Sequence, residues 1–368
     1  MQVDYLVVGS GLTGATIARL LHDAGREVLV VERRAHLGGN VHDHVHPSGI
    51  RVHTYGPHYF RTSSARIWAF VKRFATFYEY VACLKSYVDH EYENWPVNSS
   101  YMAKAIGKAW QPAFQGQPTN FEEASLQMMP ALVYHKFVKH YTEKQWGVPA
   151  HLLSPELATR FDVRADDDPR LKCHPYQGIP SEGYTSFMNK LLAGIPTWLN
   201  YDYLQQRSAL KARKQIIFTG PIDEFFGFDL GKLKYRAQQR TEEYLANTDF
   251  FQPCGQVNNP GALNGSHIRT LEWKHMMPPT QTTGIKGTVI TRETPFTPVD
   301  PNHYEYPFPD TVSQSLYRAY RRRAEAIPNL CICGRLGEYR YYDMDQAIAR
   351  AMVLAQRLLA HRQPLSQL

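Results

Sequence analysis

The chain has 368 residues, of which 43% are apolar and 20% charged, with a net charge of +7 at pH 7. That length predicts about two domains with ample chain for a core, and the composition excludes disordered and fibrous classes. The modest charge, spread among 23 tyrosines and 24 prolines, favours an anionic small ligand such as a nucleotide sugar over nucleic acid.

The first informative stretch is Tyr5-Leu6-Val7-Val8-Gly9-Ser10-Gly11-Leu12-Thr13-Gly14, followed by Ala15, Ile17, Ala18 and Leu21 at helical spacing. It reads as a buried strand, a glycine turn and a helix whose N-terminus faces a pyrophosphate. Gly9 makes the turn, Gly11 admits the anion and Gly14 lets the helix lie close on the sheet. A second strand, Glu27 to Val31, ends at Glu32, at the distance expected for an acid that binds a ribose hydroxyl. Arg33 is placed to reach the phosphates or stack on an adenine, and Gly38-Gly39-Asn40 lets a loop pass beside the dinucleotide. His42, His44 and His46 share one face of an extended segment without an accompanying acid or cysteine cluster, so they are read as exposed polar positions and no metal site is expected.

Tyr55-Gly56-Pro57-His58 interrupts a strand in a way that suits backbone touching a flat ring, with a structural role for His58 as the plainer alternative. A helix is expected from Ser64 to Phe77, a strand or hairpin from Tyr87 to Val97, and a helix from Asn120 to Trp146 with Phe137 and Tyr141 on one face. The charged run Arg160 to Arg170 reads as a mobile lid, and Gly183-Tyr184 opens a helix through Leu192. Gln215 to Thr219 is a strand ending at Gly220-Pro221-Ile222-Asp223, and strand-like segments from Ile268 through Glu293 predict a second, antiparallel sheet. Leu330 to Asp345 repeats the strand and glycine-loop pattern ahead of a helix from Gln346 to about His361. The basic runs Lys211 to Lys214 and Arg318 to Arg323 are read as solvated faces.

Cys83, Cys173, Cys254, Cys331 and Cys333 show neither zinc spacing nor a redox C-x-x-C pair, so reduced thiols are expected. No stretch approaches the length needed to span a bilayer, and the first strand begins too near Met1 for a signal peptide, so the expected location is cytoplasmic.

Taken together the motifs resemble one family, UDP-galactopyranose mutase, over nearly the whole chain. The resemblance rests on Gly9 to Gly14, Leu37 to Asn40, Tyr55 to His58, Tyr141-Thr142-Glu143-Lys144-Gln145-Trp146-Gly147, Gly178 to Thr185, Gly220 to Asp223, and Gly334-Arg335-Leu336-Gly337 through Asp345. It implies an α/β fold: a discontinuous Rossmann-like FAD-binding domain (1–75 with 205–235 and 328–368), a helical insertion (98–195, with a mobile loop 160–172) and an antiparallel-sheet substrate domain (76–97 with 236–327). It implies an FAD enzyme active only when reduced, with NAD(P)H a candidate external reductant, in which the flavin N5 attacks the anomeric carbon so that the sugar ring can open and reclose as furanose. A homodimer is the assembly considered, and galactofuranose supply to cell-surface polysaccharide the biological setting.

Carried over to this sequence, the resemblance assigns Gly9, Gly11, Leu12, Gly14, Glu32, Arg33, Gly38, Gly39, Asn40, Tyr55, His58, Gly220, Arg335, Tyr342, Asp343 and Met344 to the cofactor. Phe137, Tyr141, Thr142 and Trp146 are assigned to the uridine and its wall, Tyr184 to another substrate contact, and Arg164, Arg269, Tyr306 and Tyr341 to the diphosphate. His58, Arg164, Tyr341 and Asp343 form the expected catalytic set. Four positions depart from the family pattern: Arg61 where a second histidine is usual, Ala82 for an asparagine near the sugar, Val138 for a phenylalanine and Phe296 for a diphosphate arginine. Arg61 or Arg170 is the expected replacement cation. Two rival readings are a flavin oxidoreductase acting on a sugar or amine, and a non-catalytic flavoprotein that binds a nucleotide sugar.

Overall fold

The computed structural model describes residues 1–360 apart from Lys108, Asp162 and the side chain of Arg160. The expected helix end at His361 and Asp162 of the charged loop therefore lie outside the described residues. Strand Gln2–Val8 pairs in parallel with Val28–Val31 on one side and Lys211–Phe218 on the other. Leu330–Ile332 and Thr197–Trp198 extend the two edges to five parallel strands. Apolar runs such as Val28-Leu29-Val30-Val31, buried at every position, suit a sheet covered on both faces.

Helices Leu12–Asp23, Gly183–Leu191 and Met344–Ala360 cover one face through Ile17, Leu21, Leu191 and Ala355. Helix Thr311–Glu325, capped by the Asp310 carboxylate on the Ser313 amide at 2.6 Å, covers the other through Tyr320 and Ala324, which meet Leu6 and Phe218. Two helices thus pack away from the expected groupings. Gly183–Leu191 and Thr311–Glu325 follow their apolar faces onto the parallel sheet rather than joining the helical insertion and the antiparallel sheet.

The second sheet runs Tyr306–Pro307, Tyr235–Leu245, Thr288–Phe296, Arg269–Glu272, Gln256–Asn258, Leu84–Val88, Glu91–Trp95. All pairs are antiparallel except Gln256–Asn258 with Leu84–Val88. The expected hairpin near Tyr87 is present, closed by Asp89 and His90 with φ of 52° and 66°, a two-residue turn whose twist matches its strands.

The helix expected from Asn120 to Trp146 is broken. Phe121–Leu126 stops ahead of Pro130, which cannot donate within a helix; Ala131–Val133 restarts, Tyr134–Lys139 is wound as a π-helix, and His140–Trp146 is α-helical again. Phe121, Tyr134, Phe137, Val138, Trp146 and Leu157 form the core of this insertion. Ser64 caps a helix that covers only Ala65–Val71, because Phe77–Tyr78 leaves to pair with Ile179–Pro180.

Candidate active site

The glycine turn after Gln2–Val8 opens onto a cavity of about 200 Å³. A Cβ added to Gly14 would lie 2.1 Å from the Gly9 carbonyl oxygen, so the helix can rest on the strand end only because that position carries none. A Cβ added to Gly11 meets nothing within 4 Å and would project into the cavity instead. Glu32 accepts from the Ser10 amide and hydroxyl at 2.9 and 2.8 Å and from the Arg34 amide at 3.0 Å, which fixes its carboxylate and leaves Oε1 with acceptor capacity. Leu12, Gly38, Gly39, Asn40, Gly220, Arg335, Tyr342 and Met344 complete the walls. Arg33 lines the same cavity, with its guanidinium held by both Glu224 oxygens at 2.9 and 2.6 Å.

A second cavity of about 310 Å³ shares Asn40, His58, Arg335 and Met344 with the first, so the two meet at those side chains. Tyr55 and Asp343, expected on the cofactor, line this second cavity. One end is aromatic: Phe137, Tyr141, Trp146, Trp95, Phe121 and Phe161. The π-helical turn places Phe137 in the wall, edge-on to Tyr101 at 5.0 Å. Thr142 lines this end with a buried Oγ1 that has no hydrogen-bond partner among the described residues.

The floor is a row of polar side chains set by sheet register. Asn258 lies opposite Arg269, Arg269 opposite Glu293, and Glu293 opposite Arg240. Glu293 is fully buried and accepts from both Arg240, at 2.9 Å, and Arg269; Arg240 in turn donates to both Glu305 oxygens at 2.8 and 2.9 Å. Burial pushes the Glu293 carboxyl up, but the two guanidinium groups outweigh it and hold it below the usual carboxylate range. Gly56, with φ of 93°, lies on this row: a Cβ there would come within 2.7 Å of Glu293 Oε1. The ladder thus supports the turn that carries His58.

His58 is half-buried, and withdrawal of its ring from water, reinforced by His53 and Arg335, holds its imidazole well below its ordinary pKa, which favours the neutral form. Its Nδ1 is buried with no partner among the described residues. Arg335 lies 4.8 Å from the Tyr341 ring centre and 5.7 Å from that of Tyr306, the two rings being stacked. Burial pushes the Tyr306 phenol up to about 12, which keeps it a proton donor. The Tyr341 hydroxyl donates to Asp343 at 3.1 Å, and Arg61 approaches the other Asp343 oxygen at 3.4 Å.

Several expected site residues lie elsewhere. Tyr184 lines neither cavity; it is 1% exposed, and its hydroxyl donates to the His58 carbonyl at 3.0 Å, so it supports the His58 turn from behind. Arg164 lies behind Leu171, which does line the second cavity, and directs its guanidinium to the Leu171 carbonyl at 3.5 Å and towards Asp168 at 3.8 Å. Arg170, considered as a replacement cation, is bonded to Asp168 instead. Phe296 and Val138 line neither cavity, and Ala82 acts through its carbonyl, which accepts from the Leu171 amide at 2.7 Å. Of the histidines expected to be exposed, His44 is, whereas His42 and His46 are partly buried; His42 stacks on His36 at 3.9 Å and shares Thr54 Oγ1 with His44. Burial pushes His42 down to about 4, and no metal-binding cluster is present among the described residues.

Sequence reasoning missed Tyr59, Gln256, Asn258, Arg240 and Glu305. The Tyr59 hydroxyl donates to Gln256 Oε1 at 3.1 Å and Gln256 Nε2 to Asn258 Oδ1 at 2.9 Å, a polar strip along the second cavity. The available signal was alternation of polar and apolar residues along Gln256–Asn258, which becomes informative only once strand register is known.

A glycine-lined cavity opening into an aromatic and cationic pocket defines an enzyme built on a Rossmann-like fold. A family model described as NAD(P)-binding Rossmann-like domain matches residues 7–74, and one described as UDP-galactopyranose mutase matches residues 136–341. A dTDP-fucopyranose mutase of Escherichia coli is 30% identical over 370 residues, covering 95% of this chain and 97% of that protein. A probable UDP-galactopyranose mutase of Klebsiella pneumoniae is 30% identical over 374 residues, covering 97% and 95%. Among solved structures, a reduced UDP-galactopyranose mutase shares the fold with a TM-score of 0.75 at 13% identity over 98% of this chain and 94% of that one. A putrescine oxidase shares it less closely, with a TM-score of 0.64 at 11% identity. The chain belongs to the UDP-galactopyranose mutase family and is an isomerase of that type. Among the described residues, no helix is long and apolar enough to cross a membrane.

Proposed function

We propose that the protein is a flavin-dependent mutase that interconverts the pyranose and furanose forms of a nucleotide sugar. The observation that carries this reading is the meeting of the two cavities at Asn40, His58, Arg335 and Met344, which would bring a cofactor in the first into contact with a substrate in the second. The residues present suit FAD. The space before Gly11 and the N-terminus of Leu12–Asp23 fit a pyrophosphate, the Glu32 carboxylate fits a ribose hydroxyl, and the unpartnered His58 Nδ1 fits a polar edge of the ring system. When bound and reduced, the flavin would supply a nucleophilic nitrogen for the anomeric carbon.

In this reading Phe137, Tyr141 and Trp146 hold the base by stacking, with Thr142 Oγ1 as a hydrogen-bond partner. Arg269, Tyr306, Tyr341 and Arg335 hold the diphosphate, and withdrawal from water strengthens each charge-assisted bond as negative charge develops on the leaving phosphate. Glu293 keeps Arg269 oriented. Asp343, held by Tyr341 and Arg61, accepts from a sugar hydroxyl. Arg164 joins the diphosphate set by exchanging its Asp168 and Leu171 contacts for substrate oxygens. Neutral His58 lies at the junction and holds no charge that would oppose a reduced cofactor.

The nucleotide is a uridine or thymidine diphosphate. The second reading, a dTDP-linked deoxysugar, is favoured by the Escherichia coli relative and by Leu84 and Leu171 in the wall next to Gln256, an apolar surface suited to a sugar methyl group. The test of the flavin assignment is chromatography of the cofactor released by heat, expected to be FAD, together with reductant consumption. One priming reduction should sustain many turnovers. Steady consumption of oxygen or NAD(P)H with substrate would instead identify an oxidoreductase, and a colourless protein that takes up no FAD would remove the assignment.

A further inference from the structure

Arg236 is 6% exposed, and among the described residues no carboxylate pairs with it. Its donors go to the end of helix His140–Trp146 instead: Nε to the Gln145 carbonyl at 2.8 Å and Nη2 to the Lys144 carbonyl at 3.1 Å, while Nη1 reaches Thr297 Oγ1 at 2.6 Å. The last carbonyls of a helix have no partner within it, and a cation there is favourable. A guanidinium buried without a counter-ion is nevertheless costly, and a neutral cap would serve stability at less expense. The backbone of the same residue pairs with Tyr306, and its carbonyl accepts from the Glu305 amide at 3.3 Å. Two residues on, Gln238 donates to Gln145 Oε1 at 2.8 Å. Gly147, at φ of 71°, completes the grip, since a Cβ there would lie 3.1 Å from the guanidinium.

One residue therefore binds the helix that presents Tyr141, Thr142 and Trp146 through its side chain, and the edge strand that presents Tyr306 through its main chain. We propose that Arg236 is a positioning residue that sets the spacing between the base-binding end and the phosphate-binding tyrosines of the second cavity, and so fixes which nucleoside diphosphate geometry can bridge them. This rests on the nucleotide-sugar reading of that cavity. Sub-ångström placement of such groups matters because a ligand held at both ends loses affinity when either end shifts.

The test is titration of the flavin-loaded protein with UDP and with dTDP, for wild type, Arg236→Met, Arg236→Lys and Gln238→Leu, alongside steady-state kinetics. Loss of charge-assisted bonds to the helix end should raise the nucleotide Kd and the KM together by about ten-fold or more in Arg236→Met, and less in Arg236→Lys. Saturating kcat should stay within about two-fold and the flavin spectrum should be unchanged, because binding remote from the reacting carbon is lost. Variants whose Kd stays within about two-fold of wild type, even with a lowered Tm, would overturn the proposal and leave Arg236 a structural cap. If Arg236→Met does not fold, Arg236→Lys and Gln238→Leu decide by the same readout. Wild-type protein that binds neither UDP nor dTDP would remove the nucleotide reading and this role with it, whereas wild-type binding with unaltered variants removes only the role of Arg236.

Discussion

Around Gly9 to Gly14 what shapes the glycine-lined cavity is the absence of Cβ atoms: 2.1 Å separates a notional Gly14 Cβ from a carbonyl oxygen, and a Gly11 Cβ would occupy the cavity itself. The adjoining aromatic and cationic cavity is built from side chains that reach it from the helical insertion, the antiparallel sheet and the segment after Leu330–Ile332, and it depends on the Arg240–Glu293–Arg269 row. The first is a local construction and the second a tertiary one. They should therefore fail differently under mutation.

The largest effect separates Gly14 from Gly11, two glycines of the same turn. Gly14→Ala forces the helix off the strand and should cost about 3 kcal/mol or more, read as a fall in Tm. Gly11→Val should leave Tm of the apoprotein near that of wild type while abolishing flavin retention, because its side chain meets the cofactor and not the protein. Equal destabilisation by both would blur the contrast.

In the second cavity, Glu293→Gln leaves two half-buried guanidinium groups facing a neutral amide and should cost about 3 kcal/mol, with flavin content retained. Because the Glu293 carboxyl is held below its ordinary value of 4.5, its contribution is present above that pH and is lost as pH falls below it. Wild-type Tm should accordingly drop more steeply than that of the variant on acidification, which thermal melts across pH would register. Arg164→Ala should depress turnover by about 2 kcal/mol of transition-state stabilisation and leave the flavin spectrum intact. Unchanged turnover at saturating substrate would show that Arg164 remains with Asp168 and Leu171 during catalysis.

The smallest effect lies outside both cavities. Asp223 is fully buried and accepts from the Leu233 amide at 2.9 Å; burial, opposed by backbone bonds, pushes its carboxyl from 3.8 up to about 6. A raised folded pKa means that stability is fully present below the unfolded value and declines as pH rises through about 6. Asp223→Asn keeps the acceptor and should stabilise the fold at pH 8 by about 1–2 kcal/mol, read as a rise in Tm, with no gain at pH 4.

The same contrast explains what could be read in advance. Gly9, Gly11, Gly14 and Glu32 lie within one strand–helix–strand run, so spacing alone brings them to the wall of one cavity. Tyr59, Gln256 and Asn258 meet only through pairing of strands far apart in sequence, and no short motif encodes that register. Periodicity carried Asn120 to Trp146 as one helix because Phe137 and Tyr141 fit a helical spacing, yet Pro130 broke the run and a π-helical turn aimed Phe137 into the wall. The family resemblance supplied residue types, but Tyr184 and Arg164 show that a matched residue can support or stand behind a wall instead of forming it. Of the four departures, Arg61 alone lines the second cavity, so under the proposed function it is the one through which substrate preference would differ most directly.

The most direct test of the account is chromatographic separation of products after anaerobic incubation of the protein with UDP-galactopyranose and with dTDP-fucopyranose, before and after dithionite reduction. The account predicts a furanose product from at least one of the two, formed by the reduced protein and absent with the oxidised one. Furanose formed equally by the oxidised protein, or no furanose from either nucleotide sugar after reduction, would contradict it.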